Sequence, residues 1–204
     1  MLWSLCQTMR RLLLSSLLAV ALSARADSTS MTPAQARERL EKAAVMESAE
    51  SLVQYAAQGD IRTVGILLAA GLTASARDPL CKATALHSAA ALGQVQVVDL
   101  LLRHQAEVNA QDWRGLTPLI NAVHGGHAQV IERLLKAGAR VDVLPAEGPT
   151  ALLAAVHAGR IAIVRMLLDA GASPTQPDAF GTRPLDAARQ TQRDAIAQLF
   201  AERT

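Results

Sequence analysis

The chain reads as an all-α solenoid of stacked helix pairs, and three recurrences carry that reading. Leu86, Leu119, Leu152 and Leu185 return every 33 residues with similar neighbours; Gly93, Gly126 and Gly159 keep the same step; so do the pairs Leu101-Leu102, Leu134-Leu135 and Leu167-Leu168. A period of this size marks repeated units, each too small to bury its apolar face alone. A more diverged first copy has Leu52, Gly59, Leu67-Leu68 and Gly71, offset by 34 from the next, so one extra residue is expected in the loop around Asp78 to Lys82. Composition agrees: half of the residues are hydrophobic but only 2% are aromatic. Thin layers of Leu, Ala and Val suit that balance better than one bulky core.

Residues 1–26 read as a secretory signal peptide rather than as fold. Arg10 and Arg11 close a short basic segment, Leu12 to Leu22 is an apolar run of 11 residues, and Ala24-Arg25-Ala26 places small residues at a cleavage point before Asp27. Eleven helical residues span only about half of a ~30 Å hydrocarbon core, which argues against a membrane anchor. The paired arginines leave the general and twin-arginine export routes both open. Cleavage would leave 17 basic residues (20 less Arg10, Arg11 and Arg25) against 18 acidic, a formal charge of −1. Such a surface offers no phosphate-neutralising footprint, so nucleic acid is not expected as a partner. Cys6 would leave with the leader, making Cys81 the sole thiol of the mature chain and excluding an internal disulfide.

Residues 27–47 are expected to form a polar linker and an N-terminal capping helix, opened by the capping box Thr32-Pro33-Ala34-Gln35 and running to about Met46. Residues 48–204 then divide into repeats at about 48–80, 81–113, 114–146 and 147–179, with a C-terminal cap at 180–204. In each repeat Thr84, Thr117 or Thr150 can cap the first helix, and Pro118 and Pro184 occupy the next position, where no amide is missed. Ala89-Ala90, Ala122 and Ala154-Ala155 give that helix a smooth face for its neighbour. Gly59, Gly93, Gly126 and Gly159 end it with left-handed backbone. The second helix returns with one apolar stripe, as in Val97, Val98, Leu101 and Leu102 or Val130, Ile131, Leu134 and Leu135. Gly71, Gly138 and Gly171 close it, with Gln105 standing where the pattern wants glycine. The terminal copy places Arg183 at the threonine position and Gln192 at the glycine position.

Thr84-Ala85-Leu86-His87 and Gly115 with Thr117-Pro118-Leu119 resemble the ankyrin-repeat signature, over about residues 48 to 204. The resemblance implies an ankyrin-repeat solenoid: stacked helix-turn-helix pairs with β-hairpin or turn connections and capping helices at both ends. It also implies binding of a protein partner through the hairpin tips and the groove side of the first helices. Carried onto this sequence, those places are Leu80 with Cys81, Trp113, Arg114, Leu116, His124, Glu147, His157 and Phe180. Trp113, followed by Arg114, is the strongest of these, because interface hot spots are enriched in both residue types.

The chain has no Gly-x-Ser-x-Gly elbow, no phosphate loop and no His-Glu-x-x-His. Neither an enzyme nor a bound cofactor or metal is therefore expected. His87, one helical turn after Thr84, is read as a structural partner of that threonine, and His127 likewise. His124 and His157 stand 33 apart on adjacent repeats, where imidazoles could contact a partner. A packing distance of ~8–10 Å between helices is too wide for one zinc with Zn–N bonds of about 2.0–2.1 Å. The rival reading, a metal-dependent protein or enzyme using His124, His157 and Cys81, would need stoichiometric metal. The expectation is thus a monomeric binding module, exported to the periplasm or, where there is no outer membrane, secreted, and free of stable membrane insertion once the leader is removed. Its partner is an unidentified protein that it protects, inhibits or assembles. Similar exported bacterial ankyrin proteins add immunity and peroxide defence as alternatives.

Overall fold

A computed structural model describes residues 31–201. The leader expected at 1–26 and the start of the linker lie outside the described residues. Among those described there are eleven helices and no strand: α1 (Pro33–Lys42), α2 (Ala49–Gln58), α3 (Ile61–Ala69), α4 (Ala85–Ala91), α5 (Val95–Arg103), α6 (Pro118–Gly125), α7 (Ala128–Lys136), α8 (Ala151–His157), α9 (Ile161–Asp169), α10 (Pro184–Gln190) and α11 (Asp194–Ala201). From α2 onward they form five antiparallel pairs. The first helices α2, α4, α6, α8 and α10 pack each on the next, and the second helices form a parallel row behind them, with α1 docked on α3. Contact is broadest on both sides of α4, where Ala89 and Ala90 are fully buried and no bulk holds the neighbours away.

The starts of these helices follow from their caps. Thr32 and Gln35 exchange bonds of 3.3 and 3.0 Å in a complete capping box. The hydroxyls of Thr117 and Thr150 accept the amides of Ile120 and Leu153 at 3.4 and 3.3 Å. Side-chain caps of this kind are each worth about 1 kcal/mol. The second helices are held by their stripes: Val97, Val98 and Leu101, then Val130, Ile131 and Leu134, then Ile163, Val164 and Leu167 are all buried. Burying each such side chain contributes roughly 1.5–3 kcal/mol against the entropy of ordering it.

Three details sharpen or correct the sequence reading. The capping helix stops at Lys42 rather than near Met46, because Ala44 turns left-handed (φ 52°) and the Val45 amide donates back to the Leu40 carbonyl at 2.9 Å. The extra residue of the first repeat sits where it was expected: the Asp78 amide bonds the carbonyl of Ala83, five residues on, whereas Asp112 and Asp178 bond Leu116 and Thr182, four on. The hairpin connections are mostly turns, and the single isolated β-bridge among the described residues joins Arg77 to Thr84.

Candidate functional site

The hairpin tips are built on aspartates. Asp78 Oδ1 accepts the amides of Leu80 and Cys81, Asp112 Oδ1 those of Arg114 and Leu116, and Asp178 Oδ1 those of Phe180 and Thr182, all at 2.8–2.9 Å. A carboxylate holding two amides pins the turn and pushes the residues at its apex outward. Leu80 and Phe180 are accordingly 77% and 76% exposed, and Trp113 is 43% exposed. Adjacent tips are stitched together: the Trp113 amide donates to the Cys81 carbonyl at 3.1 Å, and the Glu147 amide to the Arg114 carbonyl at 3.2 Å. At Gly115 (φ 79°) an added Cβ would lie 2.7 Å from the backbone nitrogen of Ala146, so only glycine permits that approach.

Leu80, Arg114, Glu147 and Phe180 occupy one register position in successive repeats, with Trp113 one residue ahead of Arg114. The edge therefore runs apolar, cationic, anionic, apolar. Arg114 Nε and Glu147 Oε2 stand 3.8 Å apart, a half-exposed pair worth little to stability. Leu116 departs from its expected role. It is 5% exposed and packed in the core, so its side chain has nothing to offer a partner; its carbonyl serves His87 instead. Cys81 is half-buried beside Leu80.

At the opposite end of the first helices, His124 and His157 are both solvent-exposed. The His124 imidazole is held below its ordinary pKa, first because neighbouring surface crowds water away from it, then by the cations of Arg114 and Arg160. His87 is different in kind. It is buried, its Nδ1 accepts the Thr84 amide at 3.1 Å and lies 2.9 Å from the Thr84 hydroxyl, and its Nε2 meets the Leu116 carbonyl at 3.0 Å. Those partners fit a neutral ring protonated at Nε2, and burial pushes its pKa down.

A ladder of side chains at this end was not foreseen from the sequence. Gln94, His127, Arg160 and Arg193 each follow the turn residue of their own repeat and reach back one repeat to the carbonyls that end the preceding first helix. Gln94 Nε2 donates to Ala57 at 3.2 Å and His127 Nε2 meets Ala91 at 3.1 Å. Arg160 Nη1 donates to Val123 and, at 3.1 Å, to His124; Arg193 Nη2 donates to His157 at 2.7 Å. These bonds satisfy carbonyls that a helix end otherwise leaves orphaned. The signal was present in the 33-residue spacing of the four positions, hidden because their residue types differ.

Among the described residues no three His, Cys, Asp or Glu side chains gather as a metal site, and no helix is long and apolar enough to cross a membrane. His124, His157 and Cys81 thus do not converge with any further ligand on one centre. Comparison with known proteins bears on the repeat itself. A model of ankyrin repeats in three copies matches residues 52–145, and a single ankyrin-repeat model matches residues 147–179. The chain is similar to serine/threonine-protein kinase 12 of Arabidopsis thaliana, 42% identical over 72 residues, which is 35% of this chain and 16% of that protein. It is also similar to the 2-5A-dependent ribonuclease of Mus musculus, 37% identical over 78 residues, 38% of this chain and 11% of that protein. The match spans less than a fifth of the length of either protein. With stacked helix pairs in sequence order and both repeat models matching in register, the chain belongs to the ankyrin-repeat family.

Proposed function

We propose that the protein is an exported binding module that grips one partner protein along the edge formed by Leu80, Trp113, the Arg114–Glu147 pair and Phe180. Ankyrin repeats are protein-interaction scaffolds. The observation that carries the choice of edge is the exposure of Leu80 and Phe180 on turns made rigid by Asp78 and Asp178. A large apolar side chain held outward on a fixed turn gains burial on docking and loses little entropy. The leader places the module in the periplasm, where it protects, inhibits or assembles its partner without chemistry of its own; immunity and peroxide defence are two settings for such a role.

The test is a pull-down from periplasmic extract with the exported chain and with Trp113→Ala/Phe180→Ala. Both side chains are exposed and the variant should fold. A specific band lost from the variant supports the edge; retention of every band by a folded variant removes it. The N-terminal sequence of exported material tests the location separately, with Asp27 as the expected first residue.

A further inference from the structure

The ladder at the far end of the first helices is graded in charge. Asp60, Gln94, His127, Arg160 and Arg193 are equivalent positions in the five helix pairs, so the series runs from anion through neutral groups to two cations. Asp60 spends its carboxylate on its own helix, accepting the Arg62 and Thr63 amides at 3.1 Å and the Thr63 hydroxyl at 2.6 Å. Arg160 and Arg193 are tied to the backbone carbonyls of His124 and His157, which fixes a guanidinium at each of these helix ends, and the Arg160 cation acts on the exposed His124 imidazole. Each helix end they cap carries a partial negative charge of about half a unit, which leaves part of each cation uncompensated.

Acidic residues are scarce around them in the sequence. From 113 to 131 and from 148 to 168 the chain contains no Asp or Glu, and Asp194 in the first turn of α11 is the acid nearest Arg193 in sequence. The charges acting on the His124 imidazole are those of two cations, Arg114 and Arg160. Arg189, in the last turn of α10, adds an exposed cation at the end of the row. Electrostatic complementarity then selects the sign of what docks there.

We infer that the ledge of His124, Arg160, His157 and Arg193 docks an extended acidic segment of the partner. The inference rests on reading the chain as a protein-binding module and adds the chemistry of a second contact, apart from the hairpin edge. Neighbouring rungs are ~10 Å apart, as packed helices are, and an extended peptide in the polyproline II conformation advances about 3.1 Å per residue with three residues per turn, so every third side chain faces the same way. The matching ligand therefore carries a carboxylate at every third residue.

The probe is a synthetic peptide of about twelve residues with glutamate at every third position among glycine and serine, and the control carries lysine at those positions. Titrated into the full chain, the glutamate peptide should shift the His124 and His157 imidazole signals saturably. Its affinity should fall about fivefold or more between roughly 20 and 200 mM salt, as screening shortens the reach of the ledge. His124→Glu/His157→Glu should abolish binding while the protein's thermal transition is kept, since both side chains are exposed; Met46→Ala, at an exposed side chain outside both surfaces, should bind the peptide as the parent does. Absence of a saturable shift, an equal response to the lysine peptide, or unchanged binding by the glutamate variant each overturns the ledge. None of these results touches the pull-down at the hairpin edge, so failure of the ledge and failure of the binding-module reading remain distinct.

Discussion

Two families of turn alternate along this chain, and glycine does different work in each. Where a first helix meets its second, Gly59, Gly93, Gly126 and Gly159 take φ between 66° and 79°. Where a second helix leads on to the next repeat, Gly71, Gly138 and Gly171 take φ between 85° and 112°. A Cβ added in the first family would collide with the following repeat's ladder residue: at Gly93 with His127 Nδ1 at 2.5 Å, at Gly126 with Arg160 Cζ at 2.5 Å. A Cβ added in the second family meets nothing within 4 Å. The first turns need glycine for both backbone and space, the second for backbone alone. The two exceptions obey that distinction. Gln105 (φ 59°) lies in the second family, and Gln192 (φ 54°) lies in the first, where no later ladder residue among the described residues occupies its space.

The sharpest test is Gly93→Ala. The imidazole of His127 is rigid, is bonded to Ala91 and is also pressed by Gly125, so it has little freedom to swing aside. Left-handed strain of about 1–2 kcal/mol and loss of a hydrogen bond worth about 1 kcal/mol give an expected destabilisation of about 3 kcal/mol, read from denaturant unfolding. His127→Ala in the same chain should recover part of it, giving a non-additive double-mutant cycle. Strict additivity would mean that the space above Gly93 does not matter.

The ladder end and the capping end of the first helices can be separated by pH. His87 has its folded pKa below that of the unfolded chain, so as pH falls the unfolded state takes up a proton first. Its contribution is complete above about pH 6.5 and is lost below it, at up to about 1.4 kcal/mol per pH unit, until the folded pKa is reached. Thermal unfolding followed from pH 7.5 down to 5 should show that decline. His87→Gln should be about 2 kcal/mol less stable at pH 7.5, since buried partners lose their bonds, yet its slope should be visibly flatter. His124 shifts in the same direction and, being exposed, should carry the smaller share.

Gly138→Ala belongs to the open family and should cost only the backbone strain, about 1 kcal/mol. Paired with any ladder substitution, it should be additive. A cost as large as that of Gly93→Ala would erase the contrast between the turns.

What could be read from the sequence was whatever repeats with one residue type. The leucine, glycine and threonine positions fixed the helix pairs, their caps and the place of the extra residue near Asp78. The ladder escaped because glutamine, histidine and arginine do the same job with different atoms, and only its reach to the preceding repeat makes the four positions one feature. Leu116 was misplaced for a related reason: it stands next to the exposed tip in sequence, but the Asp112 carboxylate turns its amide inward and its side chain goes to the core. Exposure at a tight turn changes from one residue to the next, and periodicity alone does not say which neighbour faces water.

Gln105 supplies the finest measure of the comparison. Its left-handed backbone costs about 1–2 kcal/mol relative to glycine, while glycine gives back about 0.4–1 kcal/mol through the greater freedom of the unfolded chain. The side chain is exposed, so its removal costs little packing. Gln105→Gly should therefore raise stability by about 0.5 kcal/mol, and the melting temperature by roughly 1–2 °C for a chain of this length. Gln192→Gly should behave alike, because with no later ladder residue among the described residues that first-family turn is reduced to the requirements of the second. A fall in melting temperature for Gln105→Gly would show that the glutamine side chain contributes a contact outweighing its strained backbone, and would remove backbone strain as the measure that separates the two kinds of turn.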